Sequence, residues 1–406
     1  MEVKVLSSKL VKPSYPAGAP RPDTTKHVPS SVFDKATYHT QTVTIYYISP
    51  PVPSPDAIER GYATALGAYR LFAGQVRPGP DGAPGVLLND HGARLVEASV
   101  DARLADIAPT KPPPAVLRLH PDLDIVEVVQ VQLTRFACGS LAVGFTANPA
   151  VADGHATSDF LVAWDRAARG LPVGPSPPVH FPPRHDPPRA GFEHRGVEYY
   201  RPAPSLAHGH VHGDTTQHSI VVHKAHFTKD FVAGLRARAS EGRGRPFSRF
   251  ETILAHVWRT MTRARGLGSN PLQISTIRIS VDGRPRLAAA PAGYFGNLVL
   301  WAFPRATVGS LLGRPLKHAA QAIHDAVARV DGAYDFQSFV DFAGSGTVEK
   351  EGLETTAPAQ GGRAYFPTEG MLLLVPSYIG DGSIDAIVPV FEHNLDAFKQ
   401  CCYSME

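Results

Sequence analysis

Four His-x-x-x-Asp spacings occur in this chain: His120/Asp124, His155/Asp159, His210/Asp214 and His226/Asp230. A histidine near its ordinary pKa suits proton acceptance at neutral pH, which makes the spacing worth testing. With 18 His and 23 Asp, chance supplies about one such spacing in a chain this long. The spacing alone therefore selects nothing, and context must. The best context belongs to residues 148–160, NPAVADGHATSDF. A strand-like run, SLAVGFTA, precedes it and a helix-like run, FLVAWDRAARG, follows. Strand, tight Ala-Asp-Gly turn and helix together present a group well for catalysis. Yet Pro149 stands four residues before Asp153, where a proton acceptor would be of use. Proline offers neither a side-chain acceptor nor a backbone N–H. His155, near the helix start, is the candidate substitute base, although its side chain is expected to leave the turn in another direction. Asp153 reads equally as a turn residue before Gly154. Asp159 suits the first helical turn, Trp164 the core, and Cys401-Cys402 packing.

The elements around this turn alternate. The start, VKVLSSK, reads as a strand, and HTQTVTIYYIS (39–49) is β-rich. Residues 56–74 place Ile58, Tyr62, Leu66 and Tyr69 at helical spacing. Residues 85–100 predict a hairpin around Asn89-Asp90 and Gly92, and two strands, EVVQVQLTRFA and SLAVGFTA, lead into the turn. Later, Ser248-Arg249-Phe250-Glu251 is a capping box, and the helix it starts runs to Gly266. Strands LQISTIRISV and NLVLWAF, a helix over 317–330 and a hairpin around Gly380-Asp381-Gly382 complete the second half.

A chain of 406 residues exceeds one ordinary core. The expected division is an N-terminal domain over 1–170, a Pro/His-rich crossover over 171–218 and a C-terminal domain over 219–406. The crossover carries His208, His210 and His212, which read as linker because no acidic or cysteine partners stand beside them. No metal site is expected. Residues 224–265 hold ten Lys/Arg against three Asp/Glu. Such a run suits a polyanionic ligand, but no nucleic-acid motif accompanies it, and a solvated helical face is the plainer reading. Three cysteines, no membrane-length apolar run and no signal-peptide core lead to the expectation of a cytoplasmic protein without membrane or nucleic-acid partners, working as a monomer.

The turn, followed by SVDGRPRL (280–287), GYFGNLVL (293–300), FSRFETILAHVWRTMTRARGL and EGMLLLVPSYIGDGSIDAIVPVFEHNLDAF, resembles the plant BAHD acyltransferases over nearly the whole chain. Each segment alone is weak and together they are specific. The start, MEVKVLSSKLVKP, and the end, CCYSME, look most like grass enzymes that transfer hydroxycinnamoyl groups to amines such as putrescine, agmatine or tryptamine. The resemblance implies a two-domain α/β fold with mixed sheets, flanking helices and a channel between domains. It implies attack of an amine on an acyl-CoA thioester, with CoA as co-substrate and no cofactor. It implies that Asp153 is structural and pairs with Arg284. Two departures stand out. Pro149 occupies the place of the signature histidine, and a DFGWG motif is missing, with DFAGSGTVEKEGLETTAPAQGGRAYFPTEG in its stead. The expectation is an impaired transferase. The alternatives are an inactive acyl-CoA or amine-binding paralogue or a decaying duplicate, and a nucleic-acid binder built on residues 224–265.

Overall fold

The computed structural model describes residues 2–37, 42–106, 116–121, 126–181, 184–191, 194–195, 198–201, 219–288, 290–331, 335–355, 369–377 and 379–405. The chain forms two compact units, and both are discontinuous in sequence. The first comprises Met1–Ala203, Asp282–Val299 and Gly332–Tyr365; the second comprises Pro204–Val281, Leu300–Asp331 and Phe366–Glu406. The excursion of Asp282–Val299 into the first unit is what brings its side chains to the turn at 148–154.

The first unit is built on a five-stranded mixed sheet. Its strands are β1 (Val3–Val11), β2 (Thr42–Ile48), β3 (Ala93–Val100), β4 (Val129–Phe136) and β5 (Leu141–Ala147), in the spatial order β1-β3-β4-β5-β2. Only β3 and β4 run parallel; β4 and β5 form a hairpin with Val129 opposite Ala147 and Arg135 opposite Leu141. Every residue of β5 is buried, as its unbroken apolar run requires of a central strand covered on both faces. One face carries the core: Val131, Leu133, Phe145 and Ala147 meet Tyr62 of α2 (Pro55–Ala68) and Phe160 and Trp164 of α3 (Gly154–Ala168). The two helices approach so closely that a Cβ on Gly61 would stand 2.5 Å from the Ala168 nitrogen. Trp164 is core as expected, its indole donating to the Ile58 carbonyl at 2.9 Å.

Residues 85–100 do not form the expected hairpin. Gly85–Leu87 pairs with His27–Pro29 and Gln75–Val76 in a small sheet, whereas β3 pairs with β1 and β4. The turn between them is held away from hairpin geometry. Arg70 donates to the Asp90 carboxylate and to the Leu88 carbonyl, and a Cβ on Gly92, at φ 100°, would strike the Val11 carbonyl.

The second unit is described by itself. Strands β6 (Ile220–Phe227), β7 (Leu373–Pro376) and β8 (Ile384–Phe391) form an antiparallel sheet ordered β6-β8-β7, and β7–β8 is the hairpin expected around Gly380-Asp381-Gly382. Helix α4 (Arg249–Ala264) starts at the Ser248–Glu251 capping box and lays Ile253, Val257 and Met261 against Ala386, Val388 and Phe398. Cys402 belongs to this core, and burial pushes its thiol up to about 11.

Candidate active site

Strand β5 ends at Ala147, and Asn148 makes the corner. Its N–H donates to the Val128 carbonyl at 2.9 Å, and its side-chain oxygen accepts from the Ala150 N–H at 2.9 Å. The Val151 N–H closes the turn on the Asn148 carbonyl. Pro149 thus sits at the second turn position, where a fixed φ is favourable and no N–H is called for. Proline is therefore locally well suited to this position. Its carbonyl accepts a 2.8 Å bond from the Asn297 side-chain amide.

Asp153 does two jobs. As N-cap of α3 it accepts from the Ala156 N–H at 2.9 Å. The same carboxylate receives two Arg284 nitrogens, at 2.9 and 3.1 Å, and the Leu298 N–H at 2.9 Å. The two side chains are 8% and 11% exposed, so this is a partly buried bidentate pair. Arg284 uses its other donors on the carbonyls of Tyr294 and Gly296 and on Asp282. Burial works against the guanidinium charge, but the Asp153 hydrogen bond and charge outweigh it and hold the Arg284 pKa above its ordinary value. One side chain therefore ties residues 282–298 to the start of α3.

Asn297 makes a second tie. Its N–H and side-chain amide both donate to Asp34, at 3.3 and 2.8 Å, and the amide also reaches Pro149. Asp34 lies in α1 (Val32–Lys35) and shares a capping box with Ser31. Enclosure pushes its carboxyl up to about 6, with the bonds from Asn297 and Ser31 pulling the other way. Neither Asp34 nor Asn297 stood out in the sequence. The Ser31-x-x-Asp34 spacing is the one signal for the first.

His155 faces elsewhere. Its Nδ1 lies 2.9 Å from Asp282 and its Nε2 3.8 Å from Asp159, and its side chain is half exposed. Among the described residues its polar contacts are with these carboxylates rather than with the 148–151 turn. Burial would raise Asp282, but Arg284 and His155 hold it below the ordinary carboxylate range. The other spacings come apart. His226 lies on β6 and meets Asp385 at 2.6 Å, not Asp230. Asp124, Asp214 and His208, His210 and His212 lie outside the described residues. In the basic stretch, Arg236 donates to the Phe247 carbonyl, Arg243 covers the Phe247 ring and Arg265 pairs with Glu369. Among the described residues, no group of three His, Cys, Asp or Glu is placed to hold a metal ion.

Comparison with known proteins places this geometry. A family model described as the Transferase family matches residues 1–352. Putrescine hydroxycinnamoyltransferase of Oryza sativa subsp. japonica is 67% identical, with 100% of each chain covered. Agmatine coumaroyltransferase-1 of Hordeum vulgare is 43% identical, again over 100% of each. The rice alignment runs over 457 positions, of which this chain of 406 residues fills only part. Among solved structures, vinorine synthase superposes with a TM-score of 0.67 at 17% identity, covering 98% of this chain and 96% of that one. F. graminearum TRI101 complexed with coenzyme A and T-2 mycotoxin gives 0.67 at 16%, covering 92% and 97%. These likenesses show the fold, a mixed α/β acyltransferase architecture.

Proposed function

From the premise that this chain belongs to the plant transferase (BAHD) family, we propose that it binds a hydroxycinnamoyl-CoA thioester and an amine of the putrescine, agmatine or tryptamine type, and joins them slowly. The amine nitrogen attacks the thioester carbonyl, the carbon–sulfur bond breaks, and CoA leaves as the thiol with the proton that the amine sheds. A histidine at position 149 would hold that proton in transit. Pro149 cannot, and loss of a general base typically costs about 10²–10⁴-fold. Substrate positioning survives such a loss, so a slow enzyme is the reading rather than an inert one. The observation that carries it is the frame of the turn: Asp153 bound by Arg284, and the Pro149 carbonyl bound by Asn297, hold the corner in place. Asp153 and Arg284 act as positioning residues and Asp34 supports Asn297. We further read the protein as a cytoplasmic monomer, and we place the residues that its relatives have in excess between Gly352 and Tyr365, because the family match ends at residue 352.

The rival is a binding protein without turnover, and Pro149 is the observation in its favour. The test is CoA release from coumaroyl-CoA with each amine by the purified full chain. Amine-dependent release well below the ordinary enzyme range of about 1–10³ s⁻¹ is expected. Rates inside that range would overturn the assignment of a lost base. Tight ester binding with no amine-dependent release at all would establish the rival.

A further inference from the structure

A cavity of about 140 Å³ lies in the first unit between α1, Tyr199 and the helix Thr347–Glu351, and no residue of the 148–154 turn lines it. Val32, Val348 and Leu353 give it apolar walls. Its size is that of a void known to accept benzene, about 150 Å³. Tyr199 is 3% exposed, and its ring stacks on Phe339 with centroids 5.8 Å apart, so it is a fixed wall. Its hydroxyl makes no hydrogen bond with any described residue and is not among the sealed-off polar atoms, and the residue lines the cavity. Two further side chains line the mouth, Lys35 and Glu349, both exposed and neither in an ion pair among the described residues. Burial raises the Tyr199 phenol, and the charges that add to this are Glu198 and Glu349. Glu198 is already bonded to His194 at 2.7 Å, whereas Glu349 is in no ion pair among the described residues.

An apolar slot of one ring or one branched chain, lined also by an ammonium and a carboxylate that are in no ion pair among the described residues, matches one ligand chemistry. We propose that this cavity binds a free α-amino acid with an aromatic or branched apolar side chain. The side chain enters between Val32, Val348 and Leu353. The ligand ammonium meets Glu349 and the Tyr199 hydroxyl, and its carboxylate meets Lys35. A monovalent amine would use Glu349 and be repelled by Lys35; a monovalent acid would do the reverse. The site is separate from the transfer reaction and does not rest on it, although α1 contributes to both: Asp34 bonds Asn297 beside the turn, while Val32 and Lys35 line the cavity.

The test is calorimetric titration of the full chain with L-phenylalanine and L-leucine, set against 2-phenylethylamine, 3-phenylpropanoate and toluene. L-Phenylalanine should bind at least about tenfold more tightly than either singly charged analogue, a difference of one decade in Kd. Glu349→Gln should bring its affinity down to that of 3-phenylpropanoate, and Lys35→Met to that of 2-phenylethylamine. Both replaced side chains are exposed, so melting curves without ligand should be unchanged and a folding defect cannot stand in for lost binding. Tyr199→Phe should cost a few-fold. Toluene binding as well as L-phenylalanine would show a packing void and overturn the proposal. So would no binding of either amino acid at about 10 mM, or affinities indifferent to both charge substitutions.

Discussion

The turn at 148–154 and the stretch at 337–355 both lie in the first unit, but they are anchored in different ways. At the turn, side chains from segments distant in sequence hold a backbone corner. Asn148 makes the corner, Asn297 holds the Pro149 carbonyl, and Arg284 holds Asp153. In the second region a buried carboxylate and a buried histidine are the anchors. Asp341 is buried and accepts from the N–H groups of His185 and Arg189 and from the His185 ring. Burial alone would raise its pKa, but these bonds win and lower it. His194 lies buried between Glu198 and the Ser338 hydroxyl, and Arg195 and Arg201 both reach Glu351. On the proposed function, one substitution at position 149 would give the turn a proton acceptor without disturbing these ties. The second region offers no single such position, because its described ties run from a buried carboxylate and a buried imidazole to several segments at once.

The largest expected effect separates these two kinds of change. On the proposed function, Pro149→His supplies a proton acceptor at the turn, while a graft of a relative's segment between Gly352 and Tyr365 supplies the residues placed there. Pro149→His alone should raise turnover by only a minor part of the 10²–10⁴-fold that a general base is typically worth, roughly tenfold. The graft alone should tighten coumaroyl-CoA binding without raising kcat. The double change should recover the full factor. Turnover and ester affinity measured on the four proteins decide it. Full recovery from Pro149→His alone would mean that the second region is silent in the reaction.

The frame itself is the next target. Asp153 and Arg284 form a partly buried pair, and truncating one partner strands the other's charge, typically at a cost of about 3–5 kcal/mol. Asp153→Asn and Arg284→Met should each lower Tm strongly, and the double mutant should lose less than the sum. Strict additivity would break the claim that this pair is the hub of the turn.

How much of this was legible beforehand depends on what kind of signal each part carries. The pairing of Asp153 with Arg284 came from the matching of motifs; spacing alone left Asp153 as an ordinary turn residue. The fitness of Pro149 was legible in turn chemistry, since an Asn followed by Pro suits the first two turn positions, yet its catalytic cost dominated the reading. Asn297 was not legible: an amide bridging a carboxylate and a carbonyl from distant segments leaves no local pattern. The same limit explains residues 85–100. Alternation marks a strand but does not name its partner, so two adjacent strands were read as a pair although they join different sheets. Helix α4 was legible because its cap and its apolar spacing are both local.

A smaller effect concerns Asp34. Its folded pKa of about 6 lies above the unfolded value of 3.8. Between these values the folded chain holds a proton that the unfolded chain has released. This carboxyl therefore opposes folding above pH 6, and the penalty is relieved as pH falls towards 4. The effect on stability across this window is on the order of 1–3 kcal/mol. Urea titrations should show Asp34→Asn flattening the pH dependence in this window. An unchanged profile would show that Asp34 does not carry that proton.

The smallest effect is expected from His155, and it tests whether the turn has recruited another base. A base must come within hydrogen-bond reach of the proton it takes, directly or through one water. Both ring nitrogens of His155 are directed at carboxylates, Asp282 at 2.9 Å and Asp159 at 3.8 Å, while the corner at Pro149 is bonded by Asn297 instead. The ring is half exposed, so these ion pairs fall in the range of about 0–1 kcal/mol. His155→Ala should accordingly leave residual CoA release within about twofold and shift Tm by only a degree or two. The pH profile of the slow reaction should keep its shape, because removing a residue that only orients Asp282 moves no titrating group at the reacting atoms. A collapse of residual turnover in His155→Ala, with the melting curve unchanged, would reverse the contrast drawn between the two regions. The turn would then hold a working base displaced from position 149, and the second region alone would account for slow transfer.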